Sequence, residues 1–260
     1  MGRPAHGAPR PAPAARARPR GGSPLPARGD RARGAGSFEA WVRDKVNPVT
    51  GDITLDQLGM SDETYAELTE GDPLELILHC AGNVSFDPPL DQALEVNTLG
   101  AAHKVELARA AGCPLVHMST CFVAGERDGA IYERDDIVGY NPKERPFDPE
   151  REVREAQALI QRWREASREQ ANDELFDQRA REVLIARDLN PEGEVLLREE
   201  TEKQRDKWLR AHLRDAGLER SKRWGWTNTY TYSKSLGEQL TTRYAAEAGV
   251  PLTIVRPAIV

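Results

Sequence analysis

The spacing of hydrophobic and polar residues predicts strands and helices that alternate along most of the chain. Three runs of strand length are almost wholly apolar: "LELILHC" at 74–80, "PLVHMSTCFVAG" at 114–125 and "VPLTIVRPAIV" at 250–260. A shorter strand is predicted at 46–54, ending in a Gly-Asp turn. Continuous apolar runs of this length are typical of strands buried on both faces of a parallel sheet.

Helical patterns fill the segments between these runs. A helix over 61–71 would begin at an N-cap serine and end at a glycine. Apolar residues also recur at helical spacing in 88–112 and 228–249, and a short helix is predicted near 38–45. This alternation predicts an α/β fold, a Rossmann-like doubly wound parallel sheet.

A charged segment interrupts the alternation at about 133–223. It is rich in strong helix formers, and Asn190-Pro191 breaks it. An apolar stripe at helical spacing runs through its first part, formed by Ala156, Leu159, Ile160 and Trp163. We predict two or three inserted helices. The simplest interpretation is a solvated insertion; a lid over a long substrate and a partner-docking arm are the alternatives.

Composition divides the chain into two parts. Residues 1–36 are almost all Arg, Pro, Ala and Gly, which predicts a disordered segment. The remaining 37–260 would form one partial domain. The whole chain has 260 residues, 39% of them hydrophobic, and a net charge of −6. That mild acidity argues against general nucleic-acid binding.

The cysteines and histidines show no metal-binding spacing. Cys80, Cys113 and Cys121 contain no CxxC pair, so reduced thiols in a cytoplasmic protein are expected. Cys80 and Cys121 are interpreted as buried packing residues. No apolar run approaches the roughly 20 residues that span a bilayer, so no transmembrane segment is predicted. Peripheral membrane contact and the oligomeric state stay open.

Polar side chains lie where the predicted strands end. The first strand runs into "AGNVSF" at 81–86, and the second runs into Ser119 and Thr120. The last predicted helix carries Tyr230 and Lys234. Because ligands bind at the carboxyl ends of parallel strands, these residues are candidates for one site.

Helix geometry distinguishes the two tyrosines near Lys234. Residues four apart share a helix face, so Tyr230 and Lys234 can point into one site. Tyr232 lies about 200° around the axis from each of them, so replacing it by Phe should be nearly silent. An ammonium group stabilises a nearby phenolate. A hydroxyl from Thr120 or Ser119 could hold a substrate oxygen beside Tyr230, an arrangement that suits proton transfer to a carbonyl as a hydride arrives.

The motifs in this order resemble the extended short-chain dehydrogenase/reductase superfamily, and within it the fatty acyl-CoA reductases. The resemblance covers roughly 38–132 and 224–260. The matching stretches are "PVTGDITLDQLGMS", "ILHCAGNVSFDPPLDQALEVNTLGA", "VHMSTCFVAG", "WTNTYTYSKSLGEQL" and "TIVRPAIV".

The resemblance implies a role for each candidate catalytic residue. Tyr230 would be the general acid, and Lys234 would bind the nicotinamide ribose and tune the tyrosine. Thr120, with Ser119 as second choice, would bind the substrate carbonyl. Asn97 would organise a proton-relay water.

The resemblance also implies the cofactor contacts. Asp52 and Ile53 would border the adenine, and Ala81 and Gly82 would pass the ribose and pyrophosphate. Pro257 would begin a loop beside the nicotinamide. The implied cofactor is NADPH, with NADH left open. The implied substrate is a long-chain acyl-CoA or another acyl thioester, and the product an aldehyde or an alcohol.

Two parts of the family pattern are missing from these residues. Nothing upstream of Ser37 supplies the strand and Gly-rich turn that bind the pyrophosphate, and the chain stops at Val260, before most of the substrate pocket. We therefore expect a domain incomplete at its N-terminus, with weak dinucleotide binding, exposed apolar edges and poor solubility. A related sugar-nucleotide epimerase or dehydratase, and an inactive interaction protein that uses the insertion, are the alternative functions.

Overall fold

The computed structural model describes residues 35–132 and 137–258. The chain divides into two compact units, 1–48 and 49–260, which are considered separately. In the first unit, the described part contains helix α1, Ala35–Lys45. The predicted disordered segment at 1–36 lies almost wholly outside the described residues, so it and the boundary after it remain predictions.

A three-stranded parallel sheet forms the centre of the second unit. Its strands are β1 (Ile77–His79), β2 (Leu115–Met118) and β3 (Leu252–Val255), in the order β1-β2-β3. Ile77, Leu115 and Leu252 align in register across it. The α/β fold with a parallel sheet is therefore confirmed, although each strand is shorter than the apolar run that predicts it.

The strand predicted at 46–54 is wrong. These residues form a loop that leads into a turn at Asp56–Gly59, and the Asp52 backbone N–H donates to the Leu58 carbonyl oxygen at 2.6 Å. The Asp52 carboxylate accepts from both the backbone and the hydroxyl of Thr54. Such local bonds satisfy the backbone without a neighbouring strand, which is why Asp favours turns.

The described part of the second unit contains seven α-helices. They are α2 (Asp62–Glu70), α3 (Leu90–Leu94), α4 (Gly100–Ala110), α5 (Pro149–Ala166), α6 (Gln170–Ala186), α7 (Glu194–Trp224) and α8 (Thr229–Ala248). As predicted, Ser61 caps α2 and Gly71 follows its last residue. The helix predicted at 88–112 is instead divided into α3 and α4 by a π-helical turn, Glu95–Leu99.

Helices α4 and α8 cover one face of the sheet. Val105 of α4 and Ala245 of α8 pack on Leu115 in one apolar cluster. The other face carries side chains open to solvent, since Leu78 at the middle of β1 is 59% exposed. Val84 and Phe86, in the loop that follows β1, are also exposed.

The inserted segment folds as three helices, α5, α6 and α7, within the predicted number. It is more than a solvated arm, because α5 and α7 pack against α8. A second apolar cluster joins Ala156 and Ile160 of α5, Leu213 of α7, and Tyr232 and Leu236 of α8. None of the described helices combines the length and apolar character needed to cross a bilayer.

Candidate functional site

The side chain of Lys234 reaches the carboxyl end of the sheet from α8. Its Nζ donates to the carbonyl oxygen of Met118, the last residue of β2, at 2.8 Å, and the residue is only 6% exposed. Burial lowers the pKa of Lys234, while the charges of Glu238 and Cys80 partly oppose that shift. The lysine therefore stands beside the strand end from which Ser119 and Thr120 follow.

Gly82 leaves open space next to this lysine. A Cβ atom at Gly82 would lie 3.3 Å from Asn97 Oδ1 and 4.0 Å from Lys234 Nζ. Ala81 and Gly82 are both exposed. An ammonium group has three N–H donors, and in the described residues one of them is used by Met118. The remaining donors lie where a ligand can pass close to the backbone of Gly82.

Asn97, in the π-helical turn, ties the loop after β1 to helix α8. Its Oδ1 accepts from the Asn83 backbone N–H at 2.8 Å. Its Nδ2 donates to the Asn83 carbonyl oxygen and to Ser233 Oγ, both at 3.0 Å. Asn97 is buried. The structure thus gives its side chain a positioning contact, and the water-organising role stays a prediction.

The two hydroxyls after β2 differ in their partners. Thr120 Oγ1 accepts from the Phe122 backbone N–H at 3.3 Å, which caps the short 3-10 helix Cys121–Ala124. Its O–H proton remains available to donate. Ser119 Oγ is buried and has no hydrogen-bond partner in the described residues. Since a buried polar group needs a partner, both hydroxyls stay candidates for holding a substrate oxygen.

The two tyrosines lie on different faces of α8, as their spacing predicts. Tyr230 is half-buried, its ring meets the Phe86 ring edge-on at 6.0 Å, and its backbone N–H donates to the Phe86 carbonyl oxygen at 3.1 Å. Tyr232 is fully buried, and its hydroxyl donates to Glu152 Oε1 at 2.5 Å. Burial and the Glu152 charge raise the pKa of Tyr232 well above its usual value. The expectation that the Tyr232 hydroxyl is dispensable therefore does not fit its surroundings.

Of the two predicted adenine-side residues, Ile53 packs against α4 and Asp52 is held by local hydrogen bonds. The Ile53 carbonyl oxygen lies 3.0 Å from His103 Nδ1, and a Cβ at Gly100 would overlap the Ile53 side chain. The pKa of Asp52 is lowered mainly by a hydrogen bond from the Thr54 backbone N–H, and also by one from the Thr54 hydroxyl. These contacts place Ile53 against α4 and hold Asp52 within its own turn, and none of them reaches Lys234 in the described residues.

The predicted nicotinamide-side loop extends the sheet. The Pro257 carbonyl oxygen accepts from the Cys121 backbone N–H at 3.2 Å, just beyond the last aligned residues of β2 and β3. Arg256 forms an ion pair with Glu238, a buried residue on α8. Pro257 is therefore held close to the residues that follow Thr120.

Three nitrogen bases beside the site were given no role from the sequence: Lys104 and His117 are buried, and His79 is half-buried. Lys104 Nζ lies 3.2 Å from His117 Nδ1, and the His117 ring stacks on His79 with centroids 5.3 Å apart. Burial, followed by the charge of Lys234, lowers the pKa of Lys104 well below its usual value. Because lysine is seldom fully buried, the sequence carried no signal for the burial of Lys104.

The cysteines depart in part from the predicted packing role. All three are free; Cys113 is buried, but Cys80 is exposed and Cys121 is only partly buried. The reason is that Cys80 lies just beyond the end of β1, where the chain leaves the sheet. No group of three or more potential metal ligands occurs among the residues that the structure describes.

Comparison with known proteins identifies relatives of the whole described region. The family model "Male sterility protein", an NAD-binding family, matches residues 18–260. This range includes α5, α6 and α7, so the match extends beyond the two segments that carry the recognisable motifs.

Curated relatives are longer than this chain. An alcohol-forming fatty acyl-CoA reductase of Simmondsia chinensis is 28% identical over 227 residues, which cover 86% of this chain and 38% of that protein. The fatty acyl-CoA reductase 1 of Arabidopsis thaliana is 27% identical, covering 87% of this chain and 38% of that protein. A probable fatty acyl-CoA reductase 5 from the same plant is 30% identical, covering 84% and 37%. Among solved structures, the terminal R domain of the myxalamid pathway has a TM-score of 0.46 at 19% identity, covering 84% of this chain and 35% of that chain.

Proposed function

Because the chain belongs to the male sterility protein family, we propose that it carries the reductase site for long-chain fatty acyl-CoA, with NADPH as the hydride donor. One observation carries the proposal: Lys234 Nζ is bound to the Met118 carbonyl oxygen, next to the Ser119 hydroxyl, which has no hydrogen-bond partner among the described residues. Tyr230 lies one helical turn before that lysine on α8. In this proposal the site combines Tyr230 as proton donor, Lys234 as cation and Ser119 as hydroxyl.

The residues present suit a nicotinamide cofactor. Lys234 would direct its remaining N–H donors at the ribose hydroxyls, and the exposed backbone of Ala81 and Gly82 would pass along the ribose and pyrophosphate. Any side chain at position 82 would enter the space beside Asn97 and Lys234. Asp52 and Ile53 would border the adenine, and Pro257 the nicotinamide.

Each protein group has a distinct chemical task in this proposal. The bound nicotinamide supplies the hydride that reduces the thioester carbonyl carbon. Ser119 or Thr120 would donate a hydrogen bond to the carbonyl oxygen and hold it in place. Tyr230 would donate its hydroxyl proton to that oxygen, and the Lys234 ammonium would stabilise the phenolate left behind. Loss of the CoA thiol would then give the aldehyde.

A groove beside β3 suits the acyl chain. It has a volume of about 1120 Å³ and begins at Cys121, Phe122 and Pro257, next to the candidate hydroxyls. It continues along β3 to Val250 at the opposite end of the strand. Because most of its lining side chains are apolar, it fits a fatty chain better than a sugar nucleotide.

The experiment combines cofactor titration with turnover. NADPH and NADH are titrated by fluorescence, and fatty acyl-CoA reduction is then followed by cofactor oxidation. Tyr230→Phe should lower kcat by about 10²- to 10⁴-fold, the usual contribution of a general acid, while leaving NADPH binding unchanged. Tyr140→Phe is the matched control, because Tyr140 is exposed in the 137–146 loop and should retain full activity.

Two results would contradict parts of this proposal. If this chain binds neither dinucleotide and does not turn over acyl-CoA, the proposal is wrong and a non-catalytic interaction protein becomes the better interpretation. Equal activity of Tyr230→Phe and the parent protein would remove Tyr230 from the mechanism while leaving the reductase proposal standing.

A further inference from the structure

A buried carboxylate joins the inserted helices to the helix of the candidate site. Glu152 of α5 is 2% exposed, and its Oε1 accepts from the Tyr232 hydroxyl at 2.5 Å and from Arg220 Nε at 2.9 Å. Arg220 lies on α7 and also reaches Glu155 at 3.5 Å. Helices α5, α7 and α8 therefore meet at one carboxylate.

This carboxylate depends on both partners. Transferring a charged group out of water is strongly unfavourable unless ion pairing and hydrogen bonds compensate. Arg220 supplies the opposite charge, and Tyr232 supplies a second hydrogen bond to the same oxygen. Removal of the Tyr232 hydroxyl would leave that oxygen with Arg220 as its only partner in the described residues.

The network fixes α8 from the side opposite to the site. On the site side, Lys234 binds the Met118 carbonyl oxygen, and the Thr98 hydroxyl donates to the Ser233 carbonyl oxygen at 2.9 Å. On the opposite side, Tyr232, which lies between Tyr230 and Lys234 in sequence, binds Glu152. The rotation of α8 about its own axis is therefore constrained from two directions, and Tyr230 shares that rigid turn.

We propose that Glu152 and Arg220 are positioning residues for Tyr230 and Lys234, and that they act through the hydroxyl of Tyr232. The inserted helices would thereby set the geometry of the site without touching substrate or cofactor. The catalytic consequence rests on the proposed reductase function, whereas the structural consequence can be measured without it.

The first test is amide hydrogen exchange in the Tyr232→Phe variant. Without the hydroxyl, amides of 230–234 should exchange about tenfold faster or more, because a buried hydrogen bond that restrains this turn is lost. Amides of α4 and β2 should keep their protection. Tyr244→Phe is the matched control, since Tyr244 lies on the same helix and its hydroxyl has no hydrogen bond among the described residues.

The second test is kinetic and uses the same variants. Tyr232→Phe should lower kcat about tenfold with an unchanged KM for acyl-CoA, because positioning affects the reacting turn rather than substrate binding. Glu152→Gln keeps an oxygen that can accept from Tyr232, so it should restore part of the loss seen in Glu152→Leu. Combining Tyr232→Phe with Glu152→Leu should add little to the larger single effect.

Two results would overturn the proposal. One is exchange at 230–234 that matches the Tyr244→Phe control. The other is exchange that rises equally in α4 and β2, which would indicate global destabilisation instead of local release. If the parent protein shows no turnover, the reductase proposal fails, but the exchange comparison still decides whether Glu152 and Arg220 hold this turn.

Discussion

At the scale of single residues, two histidines next to the site, the half-buried His79 and the buried His117, make the stability of the fold depend on pH. Burial, followed by the charges of Lys104 and Lys234, lowers the pKa of His79 to about 3. The same causes, again led by burial, lower the pKa of His117 further. Both imidazoles are therefore neutral in the folded protein at pH values where they would be protonated in the unfolded chain, whose ordinary histidine pKa is about 6.5.

We predict that stability falls on acidification. Below about pH 6.5 the unfolded chain binds more protons than the folded protein, so the free energy of unfolding decreases as the pH falls from 7 towards 5. Urea titrations at these pH values measure the effect. In His79→Gln the decrease should be shallower, because one proton-binding difference is removed. An identical decrease in His79→Gln and the parent protein would contradict the assignment.

The candidate site could be predicted from the sequence where local geometry decides. The shared face of Tyr230 and Lys234, and the separate face of Tyr232, follow from helix periodicity alone. The partner of Tyr232 could not be predicted, since Glu152 lies 80 residues away along the chain. A lysine in a charged protein also suggests a solvated position, and only tertiary packing shows that Lys104 is buried.

At the scale of elements, local capping signals predicted helix ends better than apolar runs predicted strand ends. Asn228 and Thr231 form a capping box at the start of α8, and Gly249 ends it in the left-handed conformation. The apolar run at 74–80, by contrast, pairs as a strand only at Ile77–His79. Strand length depends on which neighbours are available for hydrogen bonding, and that information is not local.

The π-helical turn at Glu95–Leu99 is explained by its packing against α8, which could not be predicted from the sequence. An extra residue in the turn brings the Asn97 carbonyl against α8 at Gly237, where a Cβ atom would lie 1.9 Å from the Asn97 oxygen. Backbone atoms of the two helices can approach this closely only because position 237 lacks a side chain. Asn97 in turn reaches Ser233, one turn earlier on α8.

Gly237→Ala should therefore be severely destabilising. The new methyl group would overlap a backbone oxygen, so we expect a loss of about 3 kcal/mol or more, at the upper end of overpacking effects. Gly193→Ala is the control: its Cβ would meet the Asn190 oxygen at an ordinary 3.5 Å, and its cost should stay below about 1 kcal/mol. Urea unfolding curves of both variants measure the difference. Comparable losses would show that the close approach is not required.

At the scale of the whole molecule, one face of the sheet presents apolar side chains to solvent. Leu78 in β1 is 59% exposed, Val84 in the loop after β1 is 75% exposed, and β1 lies at the edge of the sheet among the described strands. Exposed apolar strands at an edge favour association with other chains. We therefore predict that the purified chain associates with itself through this face.

Leu78→Lys should reduce self-association of the purified chain. The added charge makes edge-to-edge contact unfavourable, while the unfolding midpoint should change little, since Leu78 is mostly exposed. Static light scattering across a concentration series measures the association. Val195→Lys is the control, because Val195 is 71% exposed at the start of α7, away from the sheet, and should leave scattering unchanged. Equal reductions in both variants would indicate a general charge effect.

Helix α8 belongs to both apolar clusters of the second unit. Tyr232, Leu236 and Leu240 pack with the inserted helices, Ala245 packs with the sheet, and Tyr244 contacts both groups. If α8 separated from either the inserted helices or the sheet, apolar side chains of that cluster would be exposed to water. The inserted helices and the sheet are therefore expected to unfold as one cooperative unit, although the charged composition of the inserted segment resembles that of a separate module.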